Sequence, residues 1–130
     1  MAKNSKSVSN ARIYLDTYKL LNEILDVTAD FPKYYKYGIG QEMQQLCVAL
    51  LHLVSAAYLT SDMTERISKL TEFHAKFEVL RTLVRVSGER EWIRGISRHA
   101  NIIELMNDIA KQASAWKNSL VQKLSKRDEV

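Results

Sequence analysis

Proline occurs once in this 130-residue sequence, at Pro32, and glycine four times, at Gly38, Gly40, Gly88 and Gly95. An all-β domain with many tight turns needs more of both, so their scarcity favours helices. Cysteine also occurs once. Cys47 lies in an apolar stretch, which excludes an internal disulfide and fits a buried free thiol in a reducing cytoplasm. Long apolar runs are missing as well. The longest, residues 46–59, is too short to span a bilayer and contains His52 and Ser55. Residues 1–10 are polar, with Lys3 and Lys6 and no apolar core. They are expected to form a disordered lead-in and not a signal peptide.

The residues of catalysis and metal binding are equally sparse. A carboxylate–histidine di-metal bundle needs Glu-x-x-His pairs that project into the core. None of the three histidines, His52, His74 and His99, has that spacing. Glu72 and His74 are two residues apart and face different directions on a helix. The sequence has no Cys-x-x-Cys, no His-Glu-x-x-His, no glycine-rich phosphate loop and no nucleophile elbow. The expectation is a protein that is not an enzyme, with no cofactor and no metal.

What is present is an ordinary globular composition, 46% hydrophobic and 26% charged, of a length suited to one domain with a real core. Apolar residues recur at three- and four-residue spacing in four segments, which predicts helices over 11–29, 39–59, 62–86 and 98–124. In the first, Ile13, Tyr14, Tyr18, Leu21, Ile24, Leu25 and Thr28 make the apolar stripe, with Arg12, Asp16, Lys19, Glu23, Asp26 and Asp30 opposite. Asp30-Phe31-Pro32 ends it. The second segment, with an earlier turn available from Pro32, carries only Glu42 as a formal charge between Gln41 and Thr60. A helix this apolar is covered on more than one side, which argues for an oligomeric contact. The third starts at Asp62 and Glu65, spaced like a capping box, and is expected to stop at Ser87-Gly88. Its core stripe is Ile67, Leu70, Phe73, Phe77, Leu80 and Val84. Trp92 is expected to pack down the connection that follows. Ser97 is a plausible N-cap for the fourth segment, whose inward stripe is Ile102, Met106, Ile109, Ala113, Trp116 and Leu120. Residues 125–130 are expected to be a frayed tail. Four amphipathic segments with modest connections predict an all-α, antiparallel, up-down four-helix bundle.

The net charge is a mild +4, so its distribution matters more than its size. Two features could bind phosphate. In Phe31-Pro32-Lys33-Tyr34-Tyr35-Lys36-Tyr37, lysines alternate with aromatics that either stack on bases or plug the bundle end. The arginine series Arg81, Arg85, Arg90, Arg94 and Arg98 suits bidentate phosphate contacts, or else pairs internally with Glu78, Glu89 and Glu91. Arg81 and Arg85 lie four residues apart, off the mixed-charge stripe of Glu65, Lys69, Glu72 and Lys76, and point the same way.

The junction Phe31-Pro32-Lys33 with Lys36-Tyr37-Gly38-Ile39-Gly40 resembles the FPK…R(F/Y)-x-L-G junction of a four-helix bundle family. That family includes the 23S ribosomal RNA intervening-sequence proteins. Leu80-Arg81-Thr82-Leu83-Val84-Arg85 is similar to the L-R-x-x-x-R element of one branch, the accessory variability determinant proteins of diversity-generating retroelements. Ala115-Trp116-Lys117-Asn118-Ser119 is similar to that branch's G-G-W-x-K-S ending, although Ser114-Ala115 stands in place of the two glycines. The resemblance implies a homopentameric barrel of bundles, cytoplasmic and encoded by a bacterium or phage. It also implies a non-catalytic role, binding the element's reverse transcriptase and its template RNA or cDNA with little sequence specificity, in support of mutagenic cDNA synthesis. Arg81, Arg85, Lys33 and Lys36 match the family's basic positions; Arg90 and Arg94 are added from their place in the arginine series. The competing expectation is a homo-oligomeric interaction module of the intervening-sequence type with no part in reverse transcription.

Overall fold

The single proline separates the first two helices in the computed structural model, which describes residues 11–129. Helix α1 covers Arg12–Ala29, α2 Gln41–Leu59, α3 Met63–Glu89 and α4 Ile96–Glu129. Among the described residues there is no strand, and the expected lead-in over 1–10 lies outside them. Each helix packs on its neighbour in sequence, and α1 also packs on α4, closing an up-down ring of four. The α1–α2 and α3–α4 connections therefore share one end of the bundle, and the α2–α3 connection lies at the other.

The core stripes of α3 and α4 face inward as their spacing predicts, with Ile67 and Trp116 half-buried, and α2 buries Met43, Leu46, Cys47, Leu50, Leu53, Val54 and Ala57. Leu50, Val54, Leu70, Phe73, Phe77, Leu80, Ile102, Met106 and Ile109 are sealed from solvent, and each contributes roughly 1.5–3 kcal/mol by burial. Helix α1 differs. Its buried residues are Ile13, Thr17, Leu20, Ile24, Val27 and Thr28. Leu25 and Tyr18 are exposed, while Tyr14 and Leu21 are half-buried. The stripe through Tyr14, Tyr18, Leu21 and Leu25 thus flanks the core on the side facing α2. The core accepts Thr17 and Thr28 because their hydroxyls donate to the carbonyls of Ile13 and Ile24, each at 2.7 Å.

Helix ends show where local signals were overridden. The carboxylate of Asp62 accepts from the Thr64 amide at 3.0 Å, as an N-cap should, but the Asp62 amide donates to Thr60 Oγ1 at 3.2 Å. Arg66 reaches back to close the C-terminus of α2, donating to the Thr60 carbonyl at 2.6 Å. Ser87-Gly88 does not end α3, which runs on to Glu89. The left-handed residue of that terminus is Glu91, at φ 62°. The amide of Trp92 donates to the Ser87 carbonyl at 2.9 Å and that of Glu91 to Gly88 at 3.0 Å, the paired bonds of a Schellman cap. Gly88 has a different role. The imidazole of His99 on α4 occupies the place of its missing side chain, 2.4 Å from where a Cβ would sit. Helix α4 starts earlier than Ser97, at Ile96 behind Gly95, which has φ 90°. It also continues to Glu129, so 125–129 is helical and not a frayed tail.

The approach to α2 is helical from Lys33 onward. A single turn over Lys33–Tyr35 leads into a π-helical segment over Lys36–Gly40. A π segment accommodates one residue more than an α-turn. Gly40 is buried against α1, with Thr28 and Phe31 at ordinary contact distance from where a Cβ would sit.

Candidate nucleic-acid interface

Both basic segments singled out in the sequence fall at the same end of the bundle, and Trp92 joins them. Its ring is stacked on Tyr35 with centroids 4.4 Å apart and tilted against Phe31 at 5.4 Å. Trp92 and Phe31 are buried and Tyr35 is half-buried. The Arg90 guanidinium lies over Tyr35 at 6.0 Å and over Trp92 at 5.6 Å, which ties the end of α3 to the α1–α2 junction. The aromatics of this junction therefore divide. Phe31 and Tyr35 plug the bundle, whereas Tyr34 and Tyr37 stand in solvent, 86% and 68% exposed.

The cations divide as well. Lys33, Arg85, Arg90 and Arg94 are exposed, and Lys36 is half-buried with its ammonium 5.8 Å from the Tyr37 ring centre. Arg85 lies about one turn before Glu89, the last residue of α3, and Arg90 follows directly after it. Arg94 shares a shallow cavity of about 530 Å³ with Gly88, Glu91, Ile93, Gly95, Ile96 and His99. Asp30, Glu42, Glu89 and Glu91 belong to the same end, so beside the Arg98–Asp26 pair it carries five cations against four carboxylates. None of those carboxylates is ion-paired to the five cations among the described residues.

Arg81 and Arg98 are engaged within the bundle instead. Arg81 donates to Glu78 at 3.3 Å and to the Asn107 side chain at 3.0 Å, and its guanidinium sits 5.1 Å from the Phe77 ring centre. It is a strut between α3 and α4, and Arg85 is the freer of the pair. Arg98 bridges to α1, lying 3.3 Å from Asp26 and 3.7 Å from Glu23. Of the internal pairings considered from sequence, only that with Glu78 forms. Arg98 finds its partners on α1, beyond the reach of a local reading.

A second surface is defined by lack of charge. Leu21 and Leu25 of α1 with Gln41, Gln44, Gln45 and Val48 of α2 line an open groove of about 410 Å³. Val48 is exposed, as are His52 and Leu59 farther along α2. Gln44 is fixed by donating to Thr28 Oγ1 at 2.8 Å.

Burial pushes the Cys47 thiol up to about 12, far from the thiolate a nucleophile requires. Among the described residues, no group of three or more His, Cys, Asp or Glu side chains could hold a metal ion. Nor is any described helix long and apolar enough to cross a membrane.

No curated protein matches the sequence. The sequence pattern of the bAvd-like family does, over residues 7–120. That span runs from ahead of α1 to Leu120, a buried residue of α4, and takes in the tryptophan-joined basic end. The chain belongs to the bAvd-like family, as an Avd-type four-helix bundle.

Proposed function

We propose that this protein is the accessory subunit of a diversity-generating retroelement, binding the reverse transcriptase and its template RNA or cDNA through the basic end of the bundle. The family is of an accessory, non-catalytic type. The observation that carries the reading is the gathering of Lys33, Lys36, Arg85, Arg90 and Arg94 at one end, none of them ion-paired among the described residues. Arg85, one turn beyond the Arg81 strut, is the stronger contact of the matched pair. Such a surface reads charge and not sequence, so affinity should fall steeply with salt. In the proposed assembly, copies of the bundle meet through the uncharged α1–α2 groove to give the homo-oligomer, a pentamer by family likeness. That leaves the basic ends free.

The test is reconstitution with the reverse transcriptase and template RNA of a diversity-generating retroelement. Reversing Arg85 and Arg94 to Glu should abolish capture of the RNA and of the polymerase complex while the circular dichroism and mass of the assembly stay unchanged. Normal capture by the double variant refutes the assignment. A second reading, an oligomeric module without a reverse-transcriptase role, draws on the same uncharged groove. It is favoured if the wild-type protein oligomerises but binds no RNA even at low salt.

A further inference from the structure

The five residues Lys33 to Tyr37 contain no carboxylate, and two of the three tyrosines among them are not used by the core. Phe31, Tyr35 and Trp92 already close the bundle end. Tyr34 touches that cluster only edge-on, through Tyr35 at 4.9 Å, and Tyr37 holds only the Lys36 ammonium. One exposed aromatic side chain on a protein surface is ordinary. Two are harder to dismiss when they lie three residues apart in one short helical approach, both open to solvent and interleaved with lysines.

We infer that Tyr34 and Tyr37 are base-stacking residues and that the ligand of the basic end is an unpaired nucleic-acid strand rather than a duplex. The inference rests on the nucleic-acid part of the proposed function and specifies its substrate class. A duplex hides the faces of its bases and offers cations only its phosphates. An unpaired strand presents both, and every base has a face that a phenol ring can cover, so stacking needs no particular sequence. Lys33 and Lys36 stand beside the rings, where the phosphates flanking a stacked base would run. Tyr35, stacked on Trp92 and spanned by Arg90, holds the segment on the bundle so that little order has to be gained on binding.

The experiment compares a labelled oligouridylate with an RNA duplex of equal length by fluorescence anisotropy at two salt concentrations. It uses the full chain and the Tyr34→Ala/Tyr37→Ala and Tyr34→Phe/Tyr37→Phe variants. The wild-type protein should bind the strand more tightly than the duplex. The alanine pair should weaken strand binding by roughly 5- to 150-fold for each base left unstacked, by the usual worth of base–aromatic stacking. Its duplex binding and salt slope should be unchanged, and the phenylalanine pair should retain strand affinity. Because both tyrosines are exposed, thermal melting of the variants should match that of the wild type. The inference is overturned if the alanine pair leaves strand binding intact or weakens strand and duplex equally. Loss of polymerase capture with unchanged strand binding also overturns it, and assigns the tyrosines to a protein contact. Charge reversal of Arg85 and Arg94 separates the two levels. If that variant loses RNA while the alanine pair does not, the electrostatic reading stands and the stacking fails. If the wild-type chain binds neither probe, both fall.

Discussion

Replacing Trp92 with alanine should destabilise the protein by about 3–5 kcal/mol, the range for deleting a buried large aromatic. The ring is 9% exposed, and removing it leaves both Tyr35, at 4.4 Å, and Phe31, at 5.4 Å, facing a void. Each aromatic pair adds about 0.5–1.5 kcal/mol beyond its area, part of which is already within that range. Single domains of this size are stable by about 5–15 kcal/mol, so the variant should still fold. Its urea midpoint, followed at the helical circular dichroism band, should drop by about 2 M for a slope near 2 kcal/mol/M. The location of the damage is more specific than its size. Amide exchange across residues 33–40 should accelerate in Trp92→Ala. It should not in Leu120→Ala, which opens the separate cluster of Leu120, Ala57 and Leu70 at the other end. A loss below about 1 kcal/mol, well under the range for buried aromatics, would show that Trp92 does not hold the two connections together. So would unchanged exchange over 33–40.

The same substitution should have opposite signs at two glycines. Gly38→Ala meets nothing within 4 Å and should stabilise by about 0.5–1 kcal/mol through helix propensity, whereas Gly88→Ala must displace His99 and should cost about 1–2 kcal/mol. Adding His99→Ala should reverse the sign at Gly88, as chemical denaturation of the four-member cycle would report. Glu91→Gly should raise the melting temperature by relieving the left-handed backbone, worth about 1 kcal/mol before the added freedom of the unfolded chain is deducted. Arg81→Ala should lower stability by about 1 kcal/mol by removing the Glu78 and Asn107 contacts, while Arg85→Ala stays within about 0.5 kcal/mol of wild type. Cys47 should resist thiol reagents until the chain unfolds. Because its folded value is raised from 9.0 to about 12, its contribution to stability is intact below pH 9 and is lost as pH climbs toward 12. Cys47→Ala should flatten that decline.

The bundle was legible because burial follows the 3.6-residue period on α2, α3 and α4. On α1 two adjacent apolar stripes compete, and spacing cannot say which one faces the core. The stripe containing Thr17 and Thr28 won because hydroxyls that donate to their own helix can be buried at little cost. Gly88 read as a stop because glycine often ends helices. Only the tertiary position of His99 shows that its role is to make room. The basic residues were legible as a set, but their freedom was not. Whether an arginine is available depends on partners distant in sequence, such as Asn107 for Arg81 and Asp26 for Arg98. Trp92 could be read as packing its connection down. That it stacks on Tyr35 and thereby sorts the tyrosines into core and surface required the fold.

The π-helical segment over Lys36–Gly40 makes the direction of the candidate interface a matter of chain length. A π turn stores a one-residue insertion inside an otherwise regular helix. Deleting Gly38, whose side-chain position is open, would let an unbroken α-helix run into α2 and rotate everything ahead of it by about 100°. Lys33, Tyr34 and Tyr37 would then aim elsewhere, with the core residues of α2 untouched. Tyr35 would turn with them and leave Trp92, so the extra residue of the π turn is what lets one short segment both plug the bundle and present Tyr34 and Tyr37 to solvent.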